Sequence, residues 1–314
     1  MNSVKSIILA LLALLVIAAA IGYGLSFNSA GEAPENAQGG SGVFETGSEA
    51  REPLEEEPAA ESSASALSNA KQGWGLGPSR DELGRPLDAL NAESKYAPLD
   101  AYFIMSGEEK LIYLTFDLGY ENGYTPSIID TLDEHGVKAV FFITDDYIDE
   151  APEVVERIAK TGHTLANHTV NHPSMPDVDE ARGAEEIRGL HERVLNEFGY
   201  EMRLFRFPMG EFSERCMALV QEQGYASVFW SFAYKDWVAD SQPDEAQSLQ
   251  KLMDNLHPGA IYLLHAVSST NDAILGDFII KAREAGYDFA LVDEALGLAP
   301  AATRAGESDE AGII

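Results

Sequence analysis

Two kinds of residue are scarce in this sequence of 314 residues, namely cysteine and the basic residues. Cys216 is the single cysteine, so the chain forms no intramolecular disulfide. We interpret Cys216 as a small, buried apolar residue on a helix rather than as a nucleophile. The 21 Lys and Arg are opposed by 52 Asp and Glu, which gives a formal net charge of −31 at pH 7. Because phosphate binding requires clustered Lys and Arg, this balance excludes nucleic acid as a partner.

Long hydrophobic runs are also scarce, and the most extended one lies at the start of the chain. It covers Ile7–Ile21 without a charged residue and follows Lys5. Such a segment indicates export. Small residues at 18–20 favour cleavage as a signal peptide, whereas the stretch up to Phe27 has about the 20 residues that span a bilayer. Both alternatives stay open, with a membrane anchor slightly favoured, and both place the rest of the chain outside the cytoplasm.

Composition divides the remainder of the chain into further segments. Residues 28–73 are rich in Ala, Glu, Gly, Ser and Pro and too polar to be buried, which predicts a disordered acidic linker after the apolar segment 1–27. We expect residues 74–109 to lead into a folded domain at 110–297 and residues 298–314 to form a disordered tail.

Short apolar runs alternate with longer amphipathic stretches throughout the expected folded domain. This alternation predicts seven strands separated by helices, and therefore a parallel α/β fold. The pattern does not distinguish a closed barrel from an open, doubly wound sheet. The apolar runs are Leu111–Phe116, Ala139–Ile143, His163–Asn167, Leu204–Pro208, Ala226–Phe232, Ala260–His265 and Phe289–Val292.

Polar and charged residues recur at or just after the ends of these runs. The carboxyl ends of parallel strands are where active sites of α/β proteins are built, so we expect these side chains to form one site. They are Asp117, His168, His172, Arg206, Asp236 and His265.

The residue types in this set suit hydrolytic chemistry, although each has an ordinary structural interpretation as well. Asp117 at a strand end suits a general base, or alternatively a helix cap. His168 and His172 are four residues apart, which suits two ligands of one metal ion or two surface histidines. Thr169 stands where the zinc metalloprotease motif needs Glu, so that kind of peptide hydrolysis is excluded. His265 is either a core residue or a proton donor.

Asp236 and Arg206 each have ordinary explanations as ion-pair or packing residues, but the order of the whole set is specific. Thr-Phe-Asp, His-x3-His, Arg-x-Pro-x-Gly, Asp-Trp and Leu-Leu-His follow one another along the chain. This order resembles the polysaccharide deacetylase family, also called the NodB homology domain or carbohydrate esterase family 4. Tyr113–Gly123, Phe229–Ser231 and His257–His265 are similar to the branch that makes muramic δ-lactam in spore cortex. The resemblance covers residues 74–292 and implies a distorted (β/α) barrel with seven to eight parallel strands.

The resemblance also implies a role for each motif residue. Asp117 is expected to take a proton from the attacking water, while His168 and His172 hold a divalent ion, usually zinc, that polarises the acetyl carbonyl. His265 is expected to protonate the departing sugar amine.

The remaining implied roles concern orientation and substrate contact. Asp236 is expected to hold His265 in its charged form, and Arg206 to orient Asp117. The backbone around Met209 is expected to stabilise the oxyanion. Tyr120 and Trp237 offer flat apolar surface to a sugar ring, although core packing is an equal alternative for Trp237.

The sequence departs from the family pattern at two of these positions. Leu118 stands where most of the family has a second Asp that binds the metal. The loss of this ligand is expected to lower the affinity for the metal ion by roughly 10- to 100-fold or more. The δ-lactam branch commonly has Asn there, so Leu118 does not imply an inactive enzyme. Met209 stands where the family often has Tyr and that branch tends to have Arg, which bears on the choice of sugar.

Taken together, these features predict an exported cell-wall hydrolase that removes N-acetyl groups from peptidoglycan strands. The expected sugar is N-acetylmuramic acid, on the route to muramic δ-lactam. Chitin oligomers or an exopolysaccharide are alternative substrates, because the motifs define the reaction centre rather than the groove around it. A non-catalytic glycan-binding wall protein is a further alternative, which the retention of both a base and an acid disfavours.

Overall fold

The computed structural model of the protein describes residues 67–298. The expected apolar segment 1–27, the expected linker as far as residue 66 and the tail from residue 299 lie outside the described residues. Between residues 67 and 298, no helix is both long and apolar enough to cross a membrane.

A single large parallel sheet forms the centre of the described fold. Eight of its strands follow one another in the order β2-β8-β6-β5-β4-β3-β10-β9, and β11 pairs with the start of β3. The two outer strands, β2 and β9, do not pair with each other within residues 67–298, so the barrel is open on one side. The predicted distorted (β/α) barrel is thereby confirmed. The strands are β1 Gln72–Gly73, β2 Ala101–Tyr102, β3 Leu111–Leu118, β4 Val140–Ile143, β5 Thr164–Asn167, β6 Leu204–Phe205, β7 Glu211–Phe212, β8 Ala226–Val228, β9 Phe232–Ala233, β10 Ala260–His265 and β11 Asp288–Phe289.

Helices connect the strands and cover the outside of the sheet. Several of them begin at a Ser or Asp whose side chain accepts a hydrogen bond from a backbone N–H of the first turn, as at Asp179 and Ser268. The α-helices are α1 Leu87–Tyr96, α2 Thr125–Glu134, α3 Asp145–Glu150, α4 Pro152–Lys160, α5 Glu180–Phe198, α6 Glu214–Glu222, α7 Glu245–Asp254, α8 Ser269–Glu284 and α9 Val292–Ala295.

Strand β3 shows how the sheet separates the site from the core. Its residues from 112 to 118 are all buried, and alternate residues point to opposite faces. Phe116 and Leu118 belong to the larger apolar cluster with the helices, whereas Tyr113 belongs to the smaller cluster inside the barrel. By this alternation Asp117 faces the barrel interior and Leu118 faces the helix layer.

The apolar run at 226–232 was predicted as one strand, and this prediction is wrong. The run forms two strands, β8 beside β6 and β9 at the far edge beside β10. At the end of β8, the carbonyls of Val228 and Phe229 accept hydrogen bonds from the Arg206 guanidinium at 2.9 and 3.1 Å. The side chain that follows β6 therefore occupies two backbone acceptors at the point where the run leaves β8, and apolar periodicity does not predict this contact.

The described end of the predicted linker, residues 67–73, is ordered against the barrel. Gln72–Gly73 pairs antiparallel with Glu211–Phe212. Asn69 donates to the carbonyl of Pro176 at 2.9 Å and accepts from the Ser213 hydroxyl at 2.8 Å. The predicted boundary at residue 73 is therefore too late, because contacts with distant residues, rather than local composition, order this polar segment.

Candidate active site

Asp117 ends strand β3 and is held by a buried arginine. Its Oδ1 accepts a hydrogen bond from Nη1 of Arg206 at 2.7 Å, and the guanidinium is itself fixed by the backbone carbonyls of Val228 and Phe229. Arg206 is fully buried and lies over the Phe142 ring at 4.1 Å. Burial alone would raise the pKa of Asp117, but Arg206, with His168 and His265, holds that pKa below its usual value. The carboxylate is thus ionised at neutral pH.

His168 follows β5 and is buried beside Asp117. Its Nδ1 lies 2.9 Å from the carbonyl oxygen of Arg206, which fixes the tautomer with the proton on Nδ1. The other ring nitrogen, Nε2, lies 3.6 Å from Oδ2 of Asp117. Burial lowers the pKa of His168 to about 4, so the ring is neutral at pH 7 and its Nε2 has a free lone pair.

His172 lies on a turn whose backbone is held by its neighbours. Thr169 and His172 both have positive φ, 72° and 53°, a region that is costly for residues other than glycine. The amide of His172 donates to the Thr169 hydroxyl at 2.9 Å. Buried Glu186 on α5 accepts from the backbone and the side-chain amide of Asn171 at 2.7 and 2.9 Å. These bonds place the His172 ring 4.8 Å from that of His168, centroid to centroid.

His265 ends β10, and Asp236 fixes both its backbone and its ring. Oδ1 of Asp236 lies 2.7 Å from Nδ1 of His265, and Oδ2 accepts from the His265 amide at 2.9 Å. The buried Asn271 side chain donates to the same Oδ2 at 2.6 Å and to the His265 carbonyl at 3.1 Å. Burial opposes protonation of His265, but the hydrogen bond and charge of Asp236, with the charge of Asp117, raise its pKa above the usual value.

A pocket of about 590 Å³ brings these groups together at the carboxyl ends of the strands. Asp117, His168, His172 and His265 line it. Arg206 and Asp236 lie behind the wall, each bonded to one of the lining residues.

Three of the large apolar side chains that are exposed in the described chain lie around this pocket. They are Tyr120, Trp237 and Met209, with 43%, 50% and 56% exposure. The Trp237 ring lies 5.4 Å from that of His265, and its exposure favours the surface role over core packing. Met209 has a φ of 59°, and a Cβ on the following Gly210 would lie 2.7 Å from the Trp230 ring. This turn therefore depends on glycine at 210, and both Met209 and Gly210 line the pocket.

The two histidines fit a divalent metal ion, although the set of donors is small. His168 has the neutral form and the second hydrogen bond that metal-binding imidazoles require. Among residues 67–298, no three His, Cys, Asp or Glu side chains are arranged as a metal site. The sequence predicts that Leu118 replaces a third metal ligand. The Leu118 side chain is fully buried in the core on the helix side and supplies no donor. The residues present therefore fit an ion held by two imidazoles.

All nine residues singled out from the sequence lie in or directly behind this pocket. Three others that contribute to it were not identified from the sequence. Glu186 and Asn271 support His172 and His265 from helices, and Lys235 lines the pocket. The sequence signal for Glu186 is a carboxylate on the apolar face of a helix, next to Ile187 and Leu190. The sequence does not reveal which loop this carboxylate contacts.

Comparison with known proteins gives matches over most of the described chain. Residues 105–228 match the polysaccharide deacetylase family. The chain is 36% identical over 233 residues to the peptidoglycan-N-acetylmuramic acid deacetylase PdaA of Bacillus subtilis, covering 74% of this chain and 88% of that protein. The solved structure of PdaA, a family 4 carbohydrate esterase, matches with a TM-score of 0.70 at 34% identity, covering 74% of this chain and 99% of the other.

A second relative is named for a different sugar of peptidoglycan. The chain is 34% identical over 155 residues to a peptidoglycan-N-acetylglucosamine deacetylase of Bacillus cereus, a match that covers 49% of this chain and 55% of that protein.

Proposed function

Because the chain belongs to the polysaccharide deacetylase family, carbohydrate esterase family 4, we propose that it removes N-acetyl groups from peptidoglycan, with N-acetylmuramic acid as the sugar. The observation that carries this proposal is the pairing of Asp117 with His265 in one pocket. The pKa of Asp117 is lowered and that of His265 is raised, so an ionised base and a protonated acid coexist near neutral pH.

In the proposed reaction Asp117 and His265 move protons on opposite sides of the acetamide group. The ionised Asp117 takes a proton from a water molecule while the water oxygen attacks the acetyl carbon. His265, held in its charged form by Asp236, then gives its ring proton to the sugar nitrogen as the carbon–nitrogen bond breaks. The products are the free amine and acetic acid, which ionises to acetate by giving its proton to the solvent. The proton on Asp117 passes to His265 and restores it for the next cycle. Arg206 keeps Asp117 ionised before the water attacks and holds the carboxyl group in its orientation.

Deacetylases of this family are generally metal-dependent, and we propose that His168 and His172 hold the ion, with zinc as the metal. When bound there, a divalent ion polarises the acetyl carbonyl and lowers the pKa of water. The hydrogen bond of His168 Nδ1 to the Arg206 carbonyl directs the free Nε2 into the pocket. The backbone N–H of Met209 is the donor for the negative charge that develops on the acetyl oxygen.

The apolar side chains around the pocket support a sugar substrate. Tyr120 and Trp237 are both exposed aromatic residues that line the pocket. Tyr120 follows the base Asp117 by three residues, and the Trp237 ring lies 5.4 Å from that of the acid His265. Large aromatic side chains that remain exposed at a pocket mouth are typical of ligand contacts rather than of core packing. We propose that they pack against the faces of sugar rings in the glycan strand.

The choice of N-acetylmuramic acid is supported by PdaA, which is named for that substrate and whose match covers 74% of this chain. The finer parts of the proposal are formation of muramic δ-lactam in spore cortex and export to the cell wall. Export depends on the apolar segment 1–27, which lies outside the described residues. Deacetylation of N-acetylglucosamine in the same polymer is the second candidate, and the Bacillus cereus relative favours it.

Mass spectrometry of muropeptides tests the proposal and separates the two sugars. The purified full-length chain is incubated with peptide-free glycan strands, with added zinc or with a chelator. The proposal predicts that muramic acid loses the mass of an acetyl group and that the chelator prevents the loss. Loss from glucosamine alone would favour the second candidate, and no loss from either sugar would contradict the proposed function.

A further inference from the structure

Lys235 is the only lysine or arginine among the residues that line the pocket. It lies two residues after strand β9 and precedes Asp236 and Trp237 in the chain. Its side chain is exposed. Between residues 67 and 298, its ammonium group has neither an ion pair nor a hydrogen bond to another side chain. The positive charge of Lys235 therefore faces the pocket without a protein partner.

Within the part of the chain that the structure describes, Lys235 lacks an ion-pair partner, although carboxylates outnumber basic residues in the chain by 52 to 21. Several arginines elsewhere on the surface contact carboxylates, as Arg193 contacts Asp145 and Glu197. Asp236, the neighbour of Lys235 in the chain, is fully buried and directed at His265 and Asn271. The loop thus directs the Asp236 carboxylate inwards to the reaction centre and leaves the Lys235 ammonium group at the pocket wall.

The chemistry of the proposed substrate supplies a partner for this charge. In N-acetylmuramic acid the acetamide and the lactyl ether stand on neighbouring carbons of the sugar ring. When the acetyl group lies between Asp117 and His265, the lactyl group must lie within a few bond lengths of them, at the pocket wall. Once the stem peptide is absent the lactyl group ends in a carboxylate, whereas N-acetylglucosamine has only a hydroxyl at that carbon. The side chain of Met209 lines the same pocket but is uncharged, so it cannot form an ion pair with the lactyl carboxylate.

We propose that Lys235 is a specificity-determining residue that pairs with the lactyl carboxylate of peptide-free muramic acid. This inference rests on the proposed function and assigns its substrate preference to one side chain. Lys235 offsets the repulsion between an anionic glycan and a protein with a formal net charge of −31. A lysine suits this task because its flexible stem delivers a point charge without requiring a fixed bidentate geometry.

The test compares Lys235→Gln with the wild type on three glycans of equal length. The first has free lactyl carboxylates, the second has the same groups as uncharged carboxamides, and the third contains only N-acetylglucosamine. Lys281→Gln is the matched control, because Lys281 is an exposed lysine on α8 that does not line the pocket. Acetate release gives kcat and KM for each glycan.

We expect Lys235→Gln to raise KM for the free-acid glycan about fivefold, the effect of one solvent-exposed ion pair, with kcat unchanged. The values for the carboxamide and glucosamine glycans should stay at those of the wild type, as should all values for Lys281→Gln. Added salt should raise KM for the free acid in the wild type but not in Lys235→Gln, because ions screen the pair.

Two results overturn the inference and leave the proposed function standing. One is an unchanged KM of Lys235→Gln on the free-acid glycan that the wild type deacetylates. The other is an equal loss of activity on all three glycans, which would mean that the substitution disturbs Asp236 rather than substrate choice. A wild type that releases acetate from no muramic glycan overturns the proposed function, and the inference with it.

Discussion

Asp117 and His265 occupy paired positions on the adjacent parallel strands β3 and β10. Residues paired in this way point to the same face of a sheet, so the two side chains lie next to each other inside the barrel. Each has its own buried partner, Arg206 for the carboxylate and Asp236 for the imidazole. The partners shift the two pKa values in opposite directions, which is what a base and an acid working at one pH require.

The upper pH limit of activity is predicted to depend on Asp236. The pKa of His265 is raised, so its proton is present at low pH and is lost as the pH rises through that value. Replacing Asp236 with Asn removes the charge that raises this pKa, and we expect activity to fall at lower pH than in the wild type. Profiles of kcat/KM against pH measure the shift, and Asp240→Asn, an exposed residue on the same loop, is the control. Identical alkaline limits for wild type and Asp236→Asn would contradict the assignment.

Glu186 is predicted to act as a positioning residue for the proposed metal site. It holds Asn171, the residue before His172, through two hydrogen bonds. Glu186→Gln replaces one acceptor oxygen with a donor, and we expect zinc affinity to fall by roughly 10- to 100-fold, as with other losses behind metal ligands. Calorimetric titration with zinc measures this affinity, and excess zinc should restore acetate release.

Glu185→Gln is the matched control, since Glu185 is the neighbouring exposed residue and pairs with Arg188. Thermal unfolding should be recorded for both variants. Reduced stability of Glu186→Gln with unchanged zinc affinity would show that Glu186 supports the fold and not the site.

Two buried histidines outside the site are predicted to make the fold sensitive to acid. Burial lowers the pKa of His163 and of His257 to about 4, from the usual 6.5. Both are neutral in the folded chain, so their contribution to stability is complete above pH 6.5 and is lost as the pH falls towards 4. The contribution is on the order of 3 kcal/mol per group.

Urea denaturation between pH 7 and 4 tests this sensitivity. His257→Gln should flatten the dependence of the unfolding free energy on pH, because it removes one of the two groups with a lowered pKa. A wild-type stability that stays constant over this range would contradict the prediction.

Activity is predicted to require a divalent metal even though only two histidines are available to hold it. A chelator should abolish acetate release by the wild type, and zinc should restore it. Because Leu118 supplies no third ligand, zinc should bind less tightly than in relatives with three protein ligands. The dissociation constant should be higher by roughly 10- to 100-fold. Full activity in the presence of a strong chelator would remove His168 and His172 from their proposed role.

Much of this site could be predicted from the sequence because its residues stand at the ends of recognisable strands. The run Ala260–His265 became strand β10 with the predicted bounds, since it is a continuous apolar run between Gly259 and a polar residue. In a parallel sheet such ends lie at one edge, which brings Asp117 and His265 together whatever the rest of the fold does.

The features that the sequence did not reveal depend on contacts between distant elements. Asn271 lies on a helix, and its bond to Asp236 follows from how α8 packs rather than from any local pattern. The split of the run at 226–232 reflects the Arg206 guanidinium binding the carbonyls of Val228 and Phe229. Lys235 was overlooked for a related reason, because a single exposed lysine has no meaning until the wall of the pocket is known.

The most direct test of the central claim is acetate release by Asp117→Asn on peptide-free glycan strands, measured beside the wild type. We predict a fall in kcat of about 10²- to 10⁴-fold, the usual contribution of a positioned general base, with far-ultraviolet circular dichroism unchanged. Asparagine keeps an oxygen that accepts the hydrogen bond from Arg206, so the folded structure should persist. Activity of Asp117→Asn within a few fold of the wild type would contradict the account.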